Sequence, residues 1–395
     1  MIIKSKRIVL ENEVISGYIV FEKGKIVDIL KEDSQLEADE DYGDNRIIPG
    51  IFDTHNHGTY GYGLRAEDSA DNEKTVKGYL KGLAAQGVTC VFPTAGLGSI
   101  ATCARVAKEE VAGAKILGIH SEGPWLNRVG EKGVKTGWPE VSLKTAQQML
   151  KDGDGLLRLV GIAPEIEGTD KIIEFFLANG VTMAFTHSDY QYADADKAID
   201  QGLSVATHLM NVMTGLHHRD IGGAGACLLR DEVTCELICD GLHVSLPMIR
   251  LIMKMKDHDK IMMISDCSEL SGAPIGQYRR PNMNMIINVG ADGFLLTDTG
   301  RLMGSSKPVI YGISNLVEKL KMSIPEVCRM ASLNVAHKYG IQDRGSIATG
   351  NYADFVVIDD QYQAIKTYSE GRVVYDRAAD HNLFNQKYLA EVRVK

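Results

Sequence analysis

The chain has 395 residues, 44% of them hydrophobic, which is ample for a large buried core. Its 43 basic and 52 acidic residues leave a net charge of −9, so it has no general attraction for nucleic acid or an anionic membrane, and an anionic substrate needs a local cationic pocket. The start, MIIKSKRIVLENEV, is charged too early for a secretory signal, and no apolar run of about 18 residues marks a membrane span.

The first elements are short alternating strands, IIKSKRIVL, EVISGYIVFE and GKIVDIL, turned at Glu11-Asn12 and Lys23-Gly24. The acidic stretch KEDSQLEADEDYGDN then reads as a solvated connection. From residue 46 a different unit repeats: a short apolar strand, a loop and a helix-period segment. The strands are RIIPGIFDTH, VTCVFPT, KILGIHSEG, RLVGIAPE, VTMAFTHSD, LSVATHLMN, CELICDGLH and KIMMISD. Amphipathic segments such as NEKTVKGYLKGLAAQ, TDKIIEFFLANG and ADADKAIDQG lie between several of them. Apolar strands alternating with helices imply parallel pairing with both faces covered, and eight of them favour a (β/α)8 TIM-like barrel over an open doubly wound sheet. No glycine-rich fingerprint follows the first strand, which disfavours a dinucleotide fold. Gly222-Gly223-Ala224-Gly225 reads as a flexible loop before a helix at Cys227. The C-terminal segments GSIATGNYADFVVID and AIKTYSEGRVVYD return to the texture of the N-terminus. Neither end has apolar strand enough for its own core, so residues 1–48 and 345–395 are expected to form one small β-domain, with 49–344 the barrel. The seven scattered cysteines have no zinc-knuckle or redox spacing and read as reduced thiols in a cytoplasmic protein.

The strand ends carry the chemistry. They read Asp53-Thr54-His55-Asn56-His57, His120-Ser121-Glu122, Thr186-His187-Ser188-Asp189, Thr207-His208 and Ser265-Asp266. In a β/α barrel these ends converge on one face. A lone histidine there is ordinarily satisfied by a backbone carbonyl, but nothing structural demands the coincidence at five ends. Residues i and i+2 of a strand point the same way, so His55 and His57 aim two imidazoles at one ion. Glu122 ligates or bridges, and His187 and His208 complete a second set, so one or two divalent metals are expected, with zinc the default and iron or manganese alternatives. Asp266 ends the last strand, beside the first in a closed barrel, where a carboxylate takes a proton from the activated water and delivers it to a leaving group. His243 follows strand seven and is a candidate to polarise a carbonyl. His217, His218 and Arg219 form the best local cationic patch for a phosphate or carboxylate.

The strand-end set resembles the amidohydrolase superfamily, and the connecting motifs resemble the N-acetylglucosamine-6-phosphate deacetylases. These motifs are Pro49-Gly50-Ile51-Phe52-Asp53-Thr54-His55-Asn56-His57-Gly58, His120-Ser121-Glu122-Gly123-Pro124-Trp125, Thr207-His208-Leu209-Met210-Asn211, Asp240-Gly241-Leu242-His243 and Gly304-Ser305-Ser306. The resemblance covers nearly the whole chain. It implies a barrel plus a small β-sandwich, and hydrolysis of an N-acetyl group from a phosphorylated amino sugar. It assigns the main metal to Glu122, His187 and His208, and a second metal to His55 and His57. It makes Asp266 the catalytic acid and base, gives His243 a substrate contact, and gives Asn211, the following backbone at Val212, and Arg219 the phosphate. It further implies a homodimer in which the neighbour completes the phosphate site.

The chain departs from this pattern at three places. Lys132-Gly133-Val134-Lys135 stands where the family usually ends in a sugar-contacting histidine, which makes Lys135 a candidate substrate contact. Val212 stands where alanine is usual, and Cys267-Ser268-Glu269 replaces small residues. All three lie on the substrate side, so they leave hydrolysis intact and the sugar open, N-acetylgalactosamine 6-phosphate included. Cyclic-amide hydrolases of the superfamily typically carry a carboxylated lysine at the end of strand four, where this chain has Ala163-Pro164-Glu165.

Overall fold

Alternating apolar residues bring the two chain ends into one sheet. In this computed structural model all residues are described except 35, 65–69, 130–133, 136–138, 281–284, 303 and 395, and residues 33, 70, 71, 129, 134 and 135 are described by backbone alone. The sheet runs Arg372–Asp376, Ala364–Ser369, Phe355–Ile358, Arg46–Pro49, Ile2–Val9, Val14–Glu22 and Lys25–Lys31, with Glu40–Asp41 beside Ile2–Val9. Arg46–Pro49 is the join: it pairs antiparallel with Phe355–Ile358 and parallel with Ile2–Val9. Ile3, Ile8, Ile19, Phe21, Ile47, Phe355, Val357 and Tyr368 make its apolar core, where Phe355 stacks on Tyr368 with ring centroids 4.7 Å apart. The expected sandwich strands are therefore hydrogen-bonded as a single mixed sheet.

The middle of the chain forms parallel strands in two arcs. One contains Ile51–Asn56, Val88–Pro93 and Lys115–Ile116; the other runs Ile119–Glu122, Leu157–Ile162, Thr182–Phe185, Leu203–Ala206, Thr234–Ile238 and Ile261–Ile264. Every hydrogen-bonded pair in both arcs is parallel. At one seam Thr94 bridges to His120; at the other the Asp266 amide donates to the His55 carbonyl at 2.8 Å. Phe52, Cys90, Phe92, Leu159, Ala184, Val205 and Met262 come from six strands of the two arcs and pack together as one buried cluster. Burying each larger side chain of this kind contributes roughly 1.5–3 kcal/mol.

Helices Ala70–Ala85, Thr169–Ala178 and Tyr192–Asp200 fall on the segments whose 3.6-residue period predicts them. The glycine-rich stretch differs from expectation. It opens the helix Gly222–Leu229 rather than preceding it as a loop, and its residues from Gly222 to Leu228 are buried. The reason is close packing: a Cβ on Gly223 would lie 2.8 Å from Cζ of Phe185, and one on Gly225 would lie 2.4 Å from Cβ of Ile221. After the last parallel strand comes an antiparallel sheet of Gly276–Arg280, Met285–Val289 and Leu295–Thr297, which the sequence reading does not contain. Val392, Tyr388 and Leu389 of the terminal helix Gln386–Val392 pack on it. All seven cysteines are buried and unpaired, and no described helix is long and apolar enough to cross a membrane.

Candidate metal centre

The strands stop just short of most of the predicted side chains. His55 lies within Ile51–Asn56 and Glu122 ends Ile119–Glu122, but His187, His208 and Asp266 each sit two residues beyond their strands. All three have left-handed backbone, with φ of 51°, 31° and 50°. Such conformations cost a non-glycine residue of the order of 1–3 kcal/mol and persist where the surroundings impose them. Here they turn three side chains inward from the strand ends.

The ring nitrogens and carboxylates converge in two groups, His55, His57 and Asp266, and Glu122, His187 and His208. Within each group the candidate ligand atoms all lie within 4.8 Å of one another. In the second group, Oε1 of Glu122 is 2.9 Å from Nε2 of both His187 and His208, and those nitrogens are 3.1 Å apart. In the first, the Nε2 atoms of His55 and His57 are 3.3 Å apart, and Oδ1 of Asp266 lies 3.5 and 3.4 Å from them. The other oxygen of Glu122 is 3.1 Å from His57 Nε2, so this carboxylate faces both groups. With bonds of about 2.0–2.2 Å, ligands sit roughly 3.3–3.6 Å apart around a tetrahedral ion and roughly 2.8–3.1 Å apart at the right angles of a higher-coordinate one, so the His55, His57 and Asp266 set matches the first spacing, the Glu122, His187 and His208 set the second, and both suit a divalent ion in chemistry.

The residues between these ligands have their own tasks. Asp53 accepts hydrogen bonds from the Ser265 hydroxyl and amide and from Asn56, which lock the first strand to the last; burial, against those bonds, pushes its carboxyl up to about 6. The Ser305 amide donates to the Asp266 carbonyl at 3.1 Å, which accounts for the Gly304-Ser305-Ser306 motif. His187 Nδ1 is held by the Arg128 carbonyl, whereas the buried His208 Nδ1 has no partner among the described residues. His120 is a core residue: its Nδ1 meets the Thr54 carbonyl at 3.1 Å, and burial together with charge on His55 pushes it down to about 3, so it is neutral.

The electrostatics favour a cation. Burial opposes ionisation of Glu122, yet the His187 and His55 imidazoles beside it hold it well below the usual carboxylate range. Burial likewise opposes a proton on His55 and His187, but Asp266 and Glu122 raise the first well above its ordinary value and Glu122 raises the second. Without metal, protons balance the carboxylates.

Two carboxylates here carry no site role in the sequence reading. Glu236, wholly buried within Thr234–Ile238, accepts from the Thr54 hydroxyl at 2.6 Å and faces His55 Nδ1 at 3.4 Å. Burial would raise its carboxyl, but the bond and charge of His55 hold it below the usual range. The signal was present: a charged residue inside an apolar strand must find a partner. Glu165 lies three residues beyond the strand Leu157–Ile162 and accepts from Asn127 Nδ2 and Ser188 Oγ, both at 2.7 Å, and from the Asp189 amide.

Of the predicted substrate residues, Asn211 is bonded to the backbone of His208 itself. His243 Nδ1 is 2.6 Å from Asp240, whose carboxyl burial would raise but His243 and two backbone amides hold low. The Asn211 amide donates back to the His208 carbonyl at 3.1 Å, and Val212 has φ of 52°. Arg219 is exposed with no side-chain partner among the described residues, beside the His217 and His218 rings 4.1 Å apart. Lys135 pairs through its backbone with Arg128, and its side chain lies outside the described residues, as do Lys132 and Gly133.

Residues 46–381 match the amidohydrolase family. The chain is 31% identical to an N-acetylglucosamine-6-phosphate deacetylase of Vibrio furnissii, over 91% of this chain and 90% of that protein. It is 29% identical to an N-acetylgalactosamine-6-phosphate deacetylase of Escherichia coli O157:H7, over 83% and 87%. Among solved structures it resembles a mutant N-acetyl-D-glucosamine-6-phosphate deacetylase of Mycobacterium smegmatis in complex with N-acetyl-D-glucosamine-6-phosphate. The TM-score is 0.83 at 26% identity, over 95% of this chain and 99% of that one.

Proposed function

The chain belongs to the amidohydrolase family and, within it, to the N-acetylglucosamine-6-phosphate deacetylases, and on that premise we propose that it hydrolyses N-acetylglucosamine 6-phosphate to glucosamine 6-phosphate and acetate. The convergence of five predicted ligands and Asp266 at the parallel strand ends carries this reading. Glu122, His187 and His208 would hold the principal ion, and His55 and His57, with Asp266, a second. A divalent ion, zinc by preference over iron or manganese, supplies a water of lowered pKa and a Lewis acid when bound.

The chain's own groups do the rest. Asp266 takes the proton of the attacking water and returns it to the sugar nitrogen as the acetamide C–N bond breaks and the new C–O bond forms. His243, oriented by Asp240, contacts the acetamide carbonyl. Asn211, the backbone at Val212, and Arg219 hold the phosphate, and Lys135 is assigned a substrate contact on its place in the sequence alone. The two parallel arcs, tied at both seams, support a closed (β/α)8 barrel over residues 49–344, with 1–48 and 345–395 as the second domain. The buried, unpaired thiols support a cytoplasmic setting. The small-molecule site is assigned to a homodimer.

A second sugar has a specific observation behind it. Lys135 and Val212 depart from the usual pattern on the substrate side, and one relative is named for N-acetylgalactosamine 6-phosphate. Acetate release from N-acetylglucosamine, N-acetylgalactosamine and N-acetylmannosamine, each with and without 6-phosphate, tests both. The glucosamine phosphate is expected to turn over fastest; a faster galactosamine phosphate selects the second reading, and failure of every phosphorylated sugar overturns the substrate class.

A further inference from the structure

We propose that Glu236 is a positioning residue that decides whether this chain holds two ions or one, by fixing His55 for the ion of the His55, His57 and Asp266 group. This rests on the metal assignment above.

Glu236 spends each oxygen once. Oε1 accepts from the Thr54 hydroxyl at 2.6 Å and Oε2 faces His55 Nδ1 at 3.4 Å, with no exposure to solvent. An ionised carboxylate only accepts, so the proton of His55 belongs on Nδ1 and the Nε2 lone pair is left for an ion. Nε2 is the atom that converges with His57 and Asp266. Thr54 is the chain neighbour of His55, so the hydroxyl that anchors the carboxylate moves with the ligand it serves.

The two groups differ in this respect. His187 is held from behind by the neutral carbonyl of Arg128, and the corresponding nitrogen of His208 has no partner among the described residues. Among the described residues neither of these ligands has a carboxylate behind its ring, whereas His55 does. A divalent ion on Nε2 makes the Nδ1 proton more acidic and strengthens its bond to a negative acceptor. Glu236 therefore reaches a ligand of one ion directly and no ligand of the other among the described residues. A group that only stapled strands seven and one would be indifferent to its charge, so an isosteric neutral side chain there would leave both ions unchanged.

The test is the metal content of Glu236→Gln, which keeps the shape and removes the charge. Zinc content by mass spectrometry and cobalt titration followed by visible absorption are read on the full-length protein. The wild type should take up two equivalents. The variant should keep the first at wild-type affinity and bind the second about 10–100-fold more weakly. Two equivalents at wild-type affinity, or equal weakening of both, overturns the proposal, as does a wild type that saturates at one. A wild type that takes up no metal overturns the metal assignment itself. Should Glu236→Gln not fold, Thr54→Val removes only the anchor: the second equivalent should weaken several-fold with the first unchanged, and an unaffected second equivalent overturns the proposal.

Discussion

The backbone amide of Asp266 donates to the carbonyl of His55 at 2.8 Å, so the proposed acid and base is tied through the main chain to a proposed metal ligand. The left-handed turn at Asp266 then brings its carboxylate within 3.5 Å of His55 Nε2. Its position is set by the seam between the first and last strands, not by its own loop.

Asp266→Asn keeps that seam, because the amide and the φ angle belong to the backbone. The variant is expected to retain the ion at Glu122, His187 and His208 and to lose about 100-fold or more in kcat. Near-normal turnover at equal metal content would sink the assignment.

Glu122 faces both groups with different oxygens. Glu122→Gln should therefore impair both ions, whereas His57→Asn should affect only the second. Elemental analysis after gel filtration distinguishes them, and a Glu122 variant with full metal content contradicts the shared role.

The metal-free protein should have a characteristic pH dependence. Burial acts against a proton on His55 and His187, but the carboxylates around them outweigh it and raise both above the ordinary 6.5. A group whose folded value is raised stabilises the fold fully below its unfolded value and loses that contribution as pH rises through the folded one. The metal-free protein should thus lose thermal stability as pH climbs above 6.5, while the loaded protein, whose ions replace those protons, stays flatter. Metal uptake in weak buffer should release protons. A metal-free Tm that rises across that range contradicts the shifts.

Arg219→Ala removes an exposed cation without a side-chain partner among the described residues, so the fold should be unaffected. A charged hydrogen bond to phosphate contributes roughly 1.5–3 kcal/mol, so KM for the phosphorylated sugar should rise about 10–100-fold. Activity on the unphosphorylated sugar should not change. Equal losses on both substrates would remove Arg219 from the phosphate site.

Gly223→Ala places a methyl group 2.8 Å from the buried Phe185 ring, two residues before His187. Overpacking of this kind costs about 1–3 kcal/mol, read as a lower Tm in the metal-free protein. An unchanged Tm would mean that the ring moves aside freely.

Period and position made most of this protein legible in its sequence. Apolar runs alternating with helical segments indicated the parallel strands, and strand-end chemistry singled out His55, His57, Glu122, His187, His208 and Asp266, because barrel architecture sends those ends to one face. What only the tertiary structure decided was how residues far apart in the chain divide the work. That Glu122 faces both groups, and that Glu236 stands behind His55 across 181 positions, depends on which strands become neighbours and which way each side chain turns there. The glycines at 222–225 misled for the same reason: the sequence reports the missing side chain, but only packing against Phe185 and Ile221 tells close contact from flexibility. Histidine and aspartate enter the left-handed region more readily than most residues, but nothing local requires it at His187, His208 and Asp266, so their inward aim comes from the surrounding fold.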